Sequence, residues 1–289
     1  MLAEREIGKV RSIISEKKLK GGKIAFVPTM GALHEGHLSL IDLAGSKADF
    51  TVMSIFVNRI QFNDKNDFEK YPKTIEHDLE FARARGTDLV FIPDESSLYS
   101  DHKTFIDVHG LTEELCGAHR PGHFTGVFTV VAKLFNIIQP DFAVFGQKDI
   151  QQAVSIEKMT KDLNFPVEIL IAPIVRESDG LAMSSRNVRL SSDDRQKALS
   201  IHGALSQVRD MIESGVLDYQ SLSAAAENVI GSAGAEKVDY ITLADYGSLR
   251  RVERIKNKSV FALAAYFGGV RLIDNMLIYP EGDKIKCVF

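Results

Sequence analysis

Apolar residues at Ile7, Val10, Ile13 and Ile14 recur at helical spacing within residues 2–19, and Gly21-Gly22 ends that pattern before the run Lys23-Ile-Ala-Phe-Val-Pro28. The order of helix then strand repeats along the chain. A helix is predicted over residues 36–47, a β-branched apolar strand over 50–57, a helix over 74–85 and a strand over 88–92. Farther on, an almost wholly apolar helix is predicted over 127–138, a short strand over 142–145, a helix over 149–163 and a strand over 167–172. Repeated strand–helix units imply a parallel sheet, so residues 1–175 are expected to form a doubly wound, Rossmann-like α/β domain. After Arg176-Glu-Ser-Asp-Gly180 the texture changes to an Ala/Ser-rich helical stretch over 191–233, then strand-like runs at 238–243, 259–266 and 271–279. Residues 176–289 are therefore expected to be a smaller α+β domain. No internal repeat or low-complexity segment interrupts either part.

Composition adds exclusions more than assignments. With 45% hydrophobic and 26% charged residues the chain is of ordinary globular type. Its 35 Lys and Arg against 39 Asp and Glu leave a net charge of −4 with no basic block, which argues against a nucleic-acid or membrane-surface partner. Cys116 and Cys287, the two cysteines, lie far apart in sequence and make no C-x-x-C pair, a usage that fits a reducing compartment. The opening Met1-Leu-Ala-Glu-Arg-Glu6 carries charges where a signal peptide needs its apolar stretch, and the longest apolar run, near residues 260–270, is too short for a membrane span. A soluble, cytoplasmic protein is expected.

The chemistry concentrates at three strand or turn endings. In Val27-Pro-Thr-Met-Gly31-Ala-Leu-His34-Glu-Gly36-His37 a strand passes into a helix, whose free N–H groups and partial positive charge suit a phosphate. Gly31-x-x-x-x-Gly36 resembles a Walker A loop, but His37 and Leu38 stand where that loop needs Lys and Ser/Thr. The pair His34 and His37 reads either as a functional site or as capping and solvated histidines; no third ligand supports zinc. In Asp141-Phe-Ala-Val-Phe-Gly146-Gln147-Lys148-Asp149-Ile-Gln-Gln152 the same geometry recurs. Lys148 suits phosphate charge, Gln152 a small polar substrate, and Asp149 a ribose hydroxyl, a metal-bound water or a helix cap. Gly180-Leu-Ala-Met183-Ser184-Ser185-Arg186-Asn187 reads as a phosphate clamp or as an N-capping loop. Asn58 and Gln61, after the second long strand, are neutral hydrogen-bonders that suit a hydroxy acid or an amino acid, or make up a polar loop. Arg120 suits a carboxylate, His123 a loop-supporting hydrogen bond, and Asp78 and Asp88 are candidate Mg²⁺ contacts or solvated acids. The carboxyl ends of the strands are the expected place for a nucleotide-sized ligand.

These motifs, in this order, closely resemble those of the pantothenate synthetase family, the pantoate–β-alanine ligases of the nucleotidyltransferase superfamily. The resemblance runs nearly end to end. It covers Pro28-Thr-Met-Gly-Ala-Leu-His-Glu-Gly-His37, Phe56-Val-Asn-x-x-Gln-Phe62, Tyr71-Pro-Lys-Thr74, Arg120-Pro-Gly-His-Phe124, Phe145-Gly-Gln-Lys-Asp149 with Gln151-Gln152, Met183-Ser-Ser-Arg-Asn187 and Arg271-Leu-Ile-Asp-Asn275. His34-Glu-Gly-His37 resembles the HIGH signature and Met183-Ser-Ser-Arg186 the KMSKS loop, while Arg59 departs from the proline usual after Val-Asn. The resemblance implies ATP-dependent condensation of (R)-pantoate with β-alanine through a pantoyl adenylate, with Mg²⁺ on the outgoing pyrophosphate. It further implies that His34 and His37 meet the phosphates, with His37 as acid, and that Lys148, Ser184, Ser185 and Arg186 meet the triphosphate. By the same resemblance Met30, Gly31, Ala32, Leu33, His34, Glu35, Gly36 and His37 line the ATP site, with Gly146, Gln147, Lys148, Asp149, Val175 and Met183. Gln61 and Gln152, with Asn58 and Arg120, are implied on the acid-substrate side, and Asp78 at the metal. A homodimer through the N-terminal domains and a second domain that closes over the first are implied as well. Competing readings are an adenylyltransferase with another acceptor and a non-catalytic nucleotide-binding regulator. The neutral amides argue against a phosphorylated acceptor. The two histidines and the Ser-Ser-Arg loop argue against a regulator, and a tRNA synthetase would need a basic anticodon-binding extension.

Overall fold

The computed structural model describes residues 1–282 and 284–289. In chain order the first elements are β1 (Leu2–Glu4), α1 (Ile7–Leu19), β2 (Ile24–Thr29), α2 (Glu35–Gly45), β3 (Phe50–Ile55), α3 (Lys65–Glu69), α4 (Ile75–Ala84) and β4 (Leu89–Phe91). Next come α5 (Glu95–Tyr99), α6 (Leu115–His119), α7 (His123–Ile138), β5 (Phe142–Gly146), α8 (Ile150–Asp162) and β6 (Glu168–Ala172). The last stretch holds α9 (Ser192–Ala198), α10 (Ser200–Glu213), α11 (Tyr219–Ser232), β7 (Lys237–Asp245), β8 (Ser259–Phe267), β9 (Val270–Glu281) and β10 (Lys284–Val288).

Internal contacts group the chain into two units. The first comprises Met1–His109, Arg120–Gly146 and Ser155–Ala172; the second comprises Gly110–His119, Gln147–Val154 and Pro173–Phe289. Sequence reading places a single boundary at 175/176. Two short earlier stretches group with the second unit because side chains tie them there: Gln151 donates to Leu111 O and Glu114 O, and Asn275 donates to Gln147 O and Lys148 O.

In the first unit six strands form one sheet in the order β1-β4-β3-β2-β5-β6, and every pairing is parallel. This is the expected doubly wound arrangement. The order reverses between β2 and β5, so a crevice opens at the carboxyl ends of those two strands, where such sheets take ligands. Strands β2 and β3 are buried nearly throughout, which is why they appear as unbroken apolar runs. Val27, Leu38, Ile41, Met53, Val90 and Val144 lie in a common core cluster. Burial of each such side chain contributes about 1.5–3 kcal/mol. The helix expected over 2–19 begins only at Ile7; Leu2–Glu4 is an edge strand paired with β4. Helix α7 starts four residues earlier than its apolar run, after Gly122 turns the chain with φ 77°, and this brings His123 into the first helical turn.

The second unit holds an antiparallel sheet in the order β10-β9-β8-β7. Helix α10 packs Ile201, Ala204, Leu205, Val208 and Ile212 into the same cluster as Phe261, Leu263 and Met276, with the spacing of one helical face. No helix among the described residues is long and apolar enough to cross a membrane.

Candidate active site

Strand β2 ends in a turn that two residues enter with positive φ, Gly31 at 81° and Ala32 at 52°. At Gly31 a side chain is excluded twice over, because a Cβ would lie 2.8 Å from Asp78 Oδ2 and 3.0 Å from Ile55 Cγ2. At Ala32 the left-handed conformation costs about 1–2 kcal/mol, and Asp78 offsets it. The Asp78 carboxylate, 0% exposed, accepts from Ala32 N (3.0 Å), Leu33 N (2.8 Å) and the Thr74 hydroxyl. Asp78 is thus the anchor of the turn. Its oxygens are taken up by the protein rather than held open for a metal ion, as the magnesium reading would require. Thr29 adds a second restraint: its hydroxyl donates to Ser54 O (2.7 Å) and accepts from Gly31 N (3.2 Å). Asp88, the other acid considered for a metal, accepts from Thr51 N at 2.8 Å.

His34 follows as the N-cap of α2, its Nδ1 accepting from Gly36 N at 3.1 Å. Nδ1 thus serves as an acceptor that satisfies one of the free N–H groups at the start of the helix. One turn on, the His37 ring centroid lies 4.1 Å from that of His34. The pair is brought together as the spacing suggests, one member capping the helix and both standing at its N-terminus. Glu35 is exposed and pairs with Arg85.

Strand β5 ends at Gly146 and passes into the turn Gln147–Asp149. Lys148 is half-buried and its ammonium makes no ion pair or hydrogen bond among the described residues. Its main chain is held firmly, for Asn275, 1% exposed, donates to Gln147 O and Lys148 O, both at 3.0 Å. The Gln147 side chain turns inward to Val288 O and Asn275 Oδ1. Asp149 is exposed, and Gln152 is half-buried with no side-chain partner among the described residues. The neighbouring Gln151, buried, braces the 111–117 segment instead.

In the second unit Val175 O accepts from Met183 N at 3.0 Å, closing a loop that presents Ser184, Ser185 and Arg186 half-buried. Both flanks are fixed. Arg176 makes a two-pronged pair with Asp274 (2.6 and 3.1 Å), and Asn187 donates to Glu177 (2.7 Å) and Ala182 O (3.1 Å). Arg195 pairs with Glu177 and Asp179. Burial raises the Asp179 carboxyl, yet hydrogen bonds from Arg195 and Leu181 outweigh it and hold that acid below its usual range. Ser184 Oγ accepts from Arg186 N (3.2 Å), a local turn of the capping kind.

After β3 the turn Arg59–Gln61 carries the neutral amides. Arg59 opens this turn with its side chain exposed, a position that proline also fits, so the departure from the family motif leaves a regular turn in place. Asn58, 1% exposed, commits both amide hydrogens, to Gln61 Oε1 (2.9 Å) and Gly126 O (3.0 Å), and accepts from Tyr99 OH (2.9 Å). It holds Gln61 rather than facing a substrate. Arg120 donates to His123 Nε2 (3.2 Å), so the proton of that imidazole sits on Nδ1, where it is donated to Gln61 O (2.8 Å). His123 supports the loop, as expected.

Gly126 allows this close approach: a Cβ there would fall 2.7 Å from Gln61 N, Gln61 Cα and Ile60 C. All three are backbone atoms. Gly126→Ala is accordingly expected to lower unfolding free energy by about 1–3 kcal/mol, read as a reduced urea midpoint. An unchanged midpoint would mean that the turn yields freely.

Tyr99, Gly126, Asp274 and Asn275 escape a reading confined to candidate ligands. The last two were visible inside the Arg271-Leu-Ile-Asp-Asn275 motif, whose polar residues in a strand context signal inward hydrogen bonding. Each of the three turns offers hydrogen-bond donors or a cation but no activated nucleophile, a chemistry suited to stabilising phosphate charge.

Residues 3–277 match the family model of pantoate-beta-alanine ligase. A pantothenate synthetase of Thermoanaerobacter pseudethanolicus is 50% identical over 278 residues, covering 96% of this chain and 98% of its own. That of Acetivibrio thermocellus is 47% identical over 273 residues, with 94% and 97% covered. The crystal structure of pantothenate synthetase from Thermus thermophilus superposes with a TM-score of 0.91 at 37% identity, covering 97% of this chain and 100% of that one. A pantoate–β-alanine ligase from Francisella tularensis, complexed with beta-gamma ATP and β-alanine, gives 0.79 at 37% identity over 96% and 97% of the two chains. With its Rossmann-like sheet, its paired donor-rich turns and this end-to-end likeness, the chain belongs to the pantoate–β-alanine ligase family.

Proposed function

We propose that this protein joins (R)-pantoate to β-alanine at the expense of ATP, releasing AMP and pyrophosphate through a pantoyl-adenylate intermediate. The observation that carries the reading is the pair of donor-rich turns at the carboxyl ends of β2 and β5, in a chain aligned end to end with a ligase solved with beta-gamma ATP and β-alanine.

In the first step the pantoate carboxylate attacks the α-phosphorus of ATP. A carboxylate is already anionic at neutral pH, so the step needs alignment and stabilisation of phosphate charge rather than a strong base. We assign Gln61 and Gln152 to pantoate, with Asn58, His123 and Arg120 bracing the turn that carries Gln61. The strained turn at residues 30–33 and the start of α2 line the nucleotide, where His34 and His37 meet the phosphates and His37 acts as acid. Residues 146–149, Val175 and Met183 complete that lining. Lys148, Ser184, Ser185 and Arg186 take the triphosphate. In the second step the β-alanine amine attacks the acyl carbon of the adenylate and AMP leaves.

Among the described residues no group of three or more His, Cys, Asp or Glu is disposed to hold a metal ion. Mg²⁺ would enter with ATP and would supply neutralising charge to the departing pyrophosphate, beside Lys148, Ser184, Ser185 and Arg186. The family resemblance further supports a cytoplasmic homodimer.

The direct test is exchange of labelled pyrophosphate into ATP, with pantoate and Mg²⁺ present and β-alanine absent. Exchange that depends on pantoate is expected. Folded, ATP-binding protein that exchanges nothing with pantoate would remove the adenylate from the scheme.

A further inference from the structure

The amides at Asn58 and Gln61 are oriented by a chain of hydrogen bonds that starts from an unambiguous group. Gly126 O is a backbone carbonyl and only accepts, so the Asn58 atom 3.0 Å away is its NH2. The opposite end of Asn58 is then Oδ1, and Tyr99 OH, at 2.9 Å, is the donor to it. The second hydrogen of the same NH2 goes to Gln61 at 2.9 Å, which makes that Gln61 atom Oε1. What remains is the Gln61 NH2, whose nitrogen lies 3.1 Å from Met30 Sδ, a weak acceptor. Gln61 thus presents a donor that the protein satisfies poorly, on a side chain that is 8% exposed.

Tyr99 is well placed for this task. Its ring is wedged against Phe56 and His102, with centroids 6.0 and 5.0 Å apart. Burial, reinforced by the charge of Glu95, pushes its phenol well above the ordinary value, so it is a donor at neutral pH.

We propose that Tyr99 is a positioning residue for the acid substrate: acting through Asn58, it holds Gln61 with its NH2 presented, so that this subsite takes an acceptor oxygen, a carboxylate or hydroxyl lone pair. The inference rests on the reading that Gln61 meets pantoate. Removing the Tyr99 hydroxyl leaves Asn58 Oδ1 buried without a donor; the amide keeps its bond to Gly126 O but loses its anchor at the opposite end, and its hold on Gln61 loosens.

A double-mutant cycle separates the two ideas: pantoate KM, ATP KM and kcat are measured for the native chain, Tyr99→Phe, Gln61→Ala and the double variant. Tyr99→Phe is expected to raise pantoate KM about tenfold while kcat and ATP KM move by no more than about twofold. In the Gln61→Ala background the same change should shift pantoate KM by less than about twofold, because no side chain is left to orient. An equal effect in both backgrounds, no effect in the native background, or a joint fall in kcat with a rise in ATP KM overturns the relay. A Gln61→Ala variant with native pantoate KM overturns the assignment of Gln61 itself. If Tyr99→Phe does not fold, Asn58→Ser, which breaks the same chain one link later, takes its place in the cycle with the same expected coupling.

Discussion

Lys148→Met is expected to slow adenylate formation by about 10²–10³-fold while leaving the fold intact. The substitution keeps an unbranched apolar stem of similar length and removes the ammonium with its charge and donors. That charge has no partner among the described residues, so no internal ion pair is broken. The backbone at this position is held independently, by the two hydrogen bonds from Asn275 to Gln147 O and Lys148 O. The variant therefore isolates the contribution of one cation to a phosphate-bearing transition state. Pyrophosphate exchange reports the step, and thermal unfolding within about 2 °C of the native midpoint reports the intact fold. A native exchange rate would take Lys148 out of the mechanism.

The second large effect is expected at a residue that touches no substrate. Asp78→Ala should lower unfolding free energy by about 2–5 kcal/mol, because it strands the buried N–H groups of Ala32 and Leu33 and leaves the left-handed conformation of Ala32 without support. ATP affinity should fall with it, since the turn that ends β2 then relaxes. Asp78→Asn is the graded control: it keeps one oxygen acceptor but places an NH2 against a backbone donor. Urea unfolding with and without ATP checks both. A native midpoint for Asp78→Ala would show that the turn holds itself.

How far these features were legible in the sequence depends on whether their cause is local. Strands β2, β3 and β5 and helices α2 and α8 stood out because burial on two faces writes an unbroken apolar run and helix packing writes a 3.6-residue period. Leu2–Glu4 did not. Three residues carry no period, Leu2 is 51% exposed, and only pairing with Leu89–Phe91 makes them a strand. The start of α7 was missed for a related reason: its apolar stretch begins later than its helical geometry, which Gly122 sets. The glycine turns and the histidine pair were legible as motifs. Asp78 was visible only as an acid on a helix, since the amides it anchors lie 45 and 46 residues away. Asn58 reads in the sequence as a substrate contact or a loop amide, because nothing local reveals that Gly126 and Tyr99 occupy its polar atoms. Relations between distant partners, rather than residue types, were what the linear pattern withheld.

The bond between Asn275 and the turn at Lys148 has a consequence for the protein during its own synthesis. Every strand of the parallel sheet has been made once Ala172 is in the chain, and that half can begin to organise. The bonds to Gln147 O and Lys148 O nevertheless form only when Asn275 of β9 has left the ribosome, more than 100 residues after Ala172. A nascent chain can therefore build the sheet before the turn at Lys148 is set. The turn at Lys148 is thus completed by strands that are among the last parts of the chain to be made.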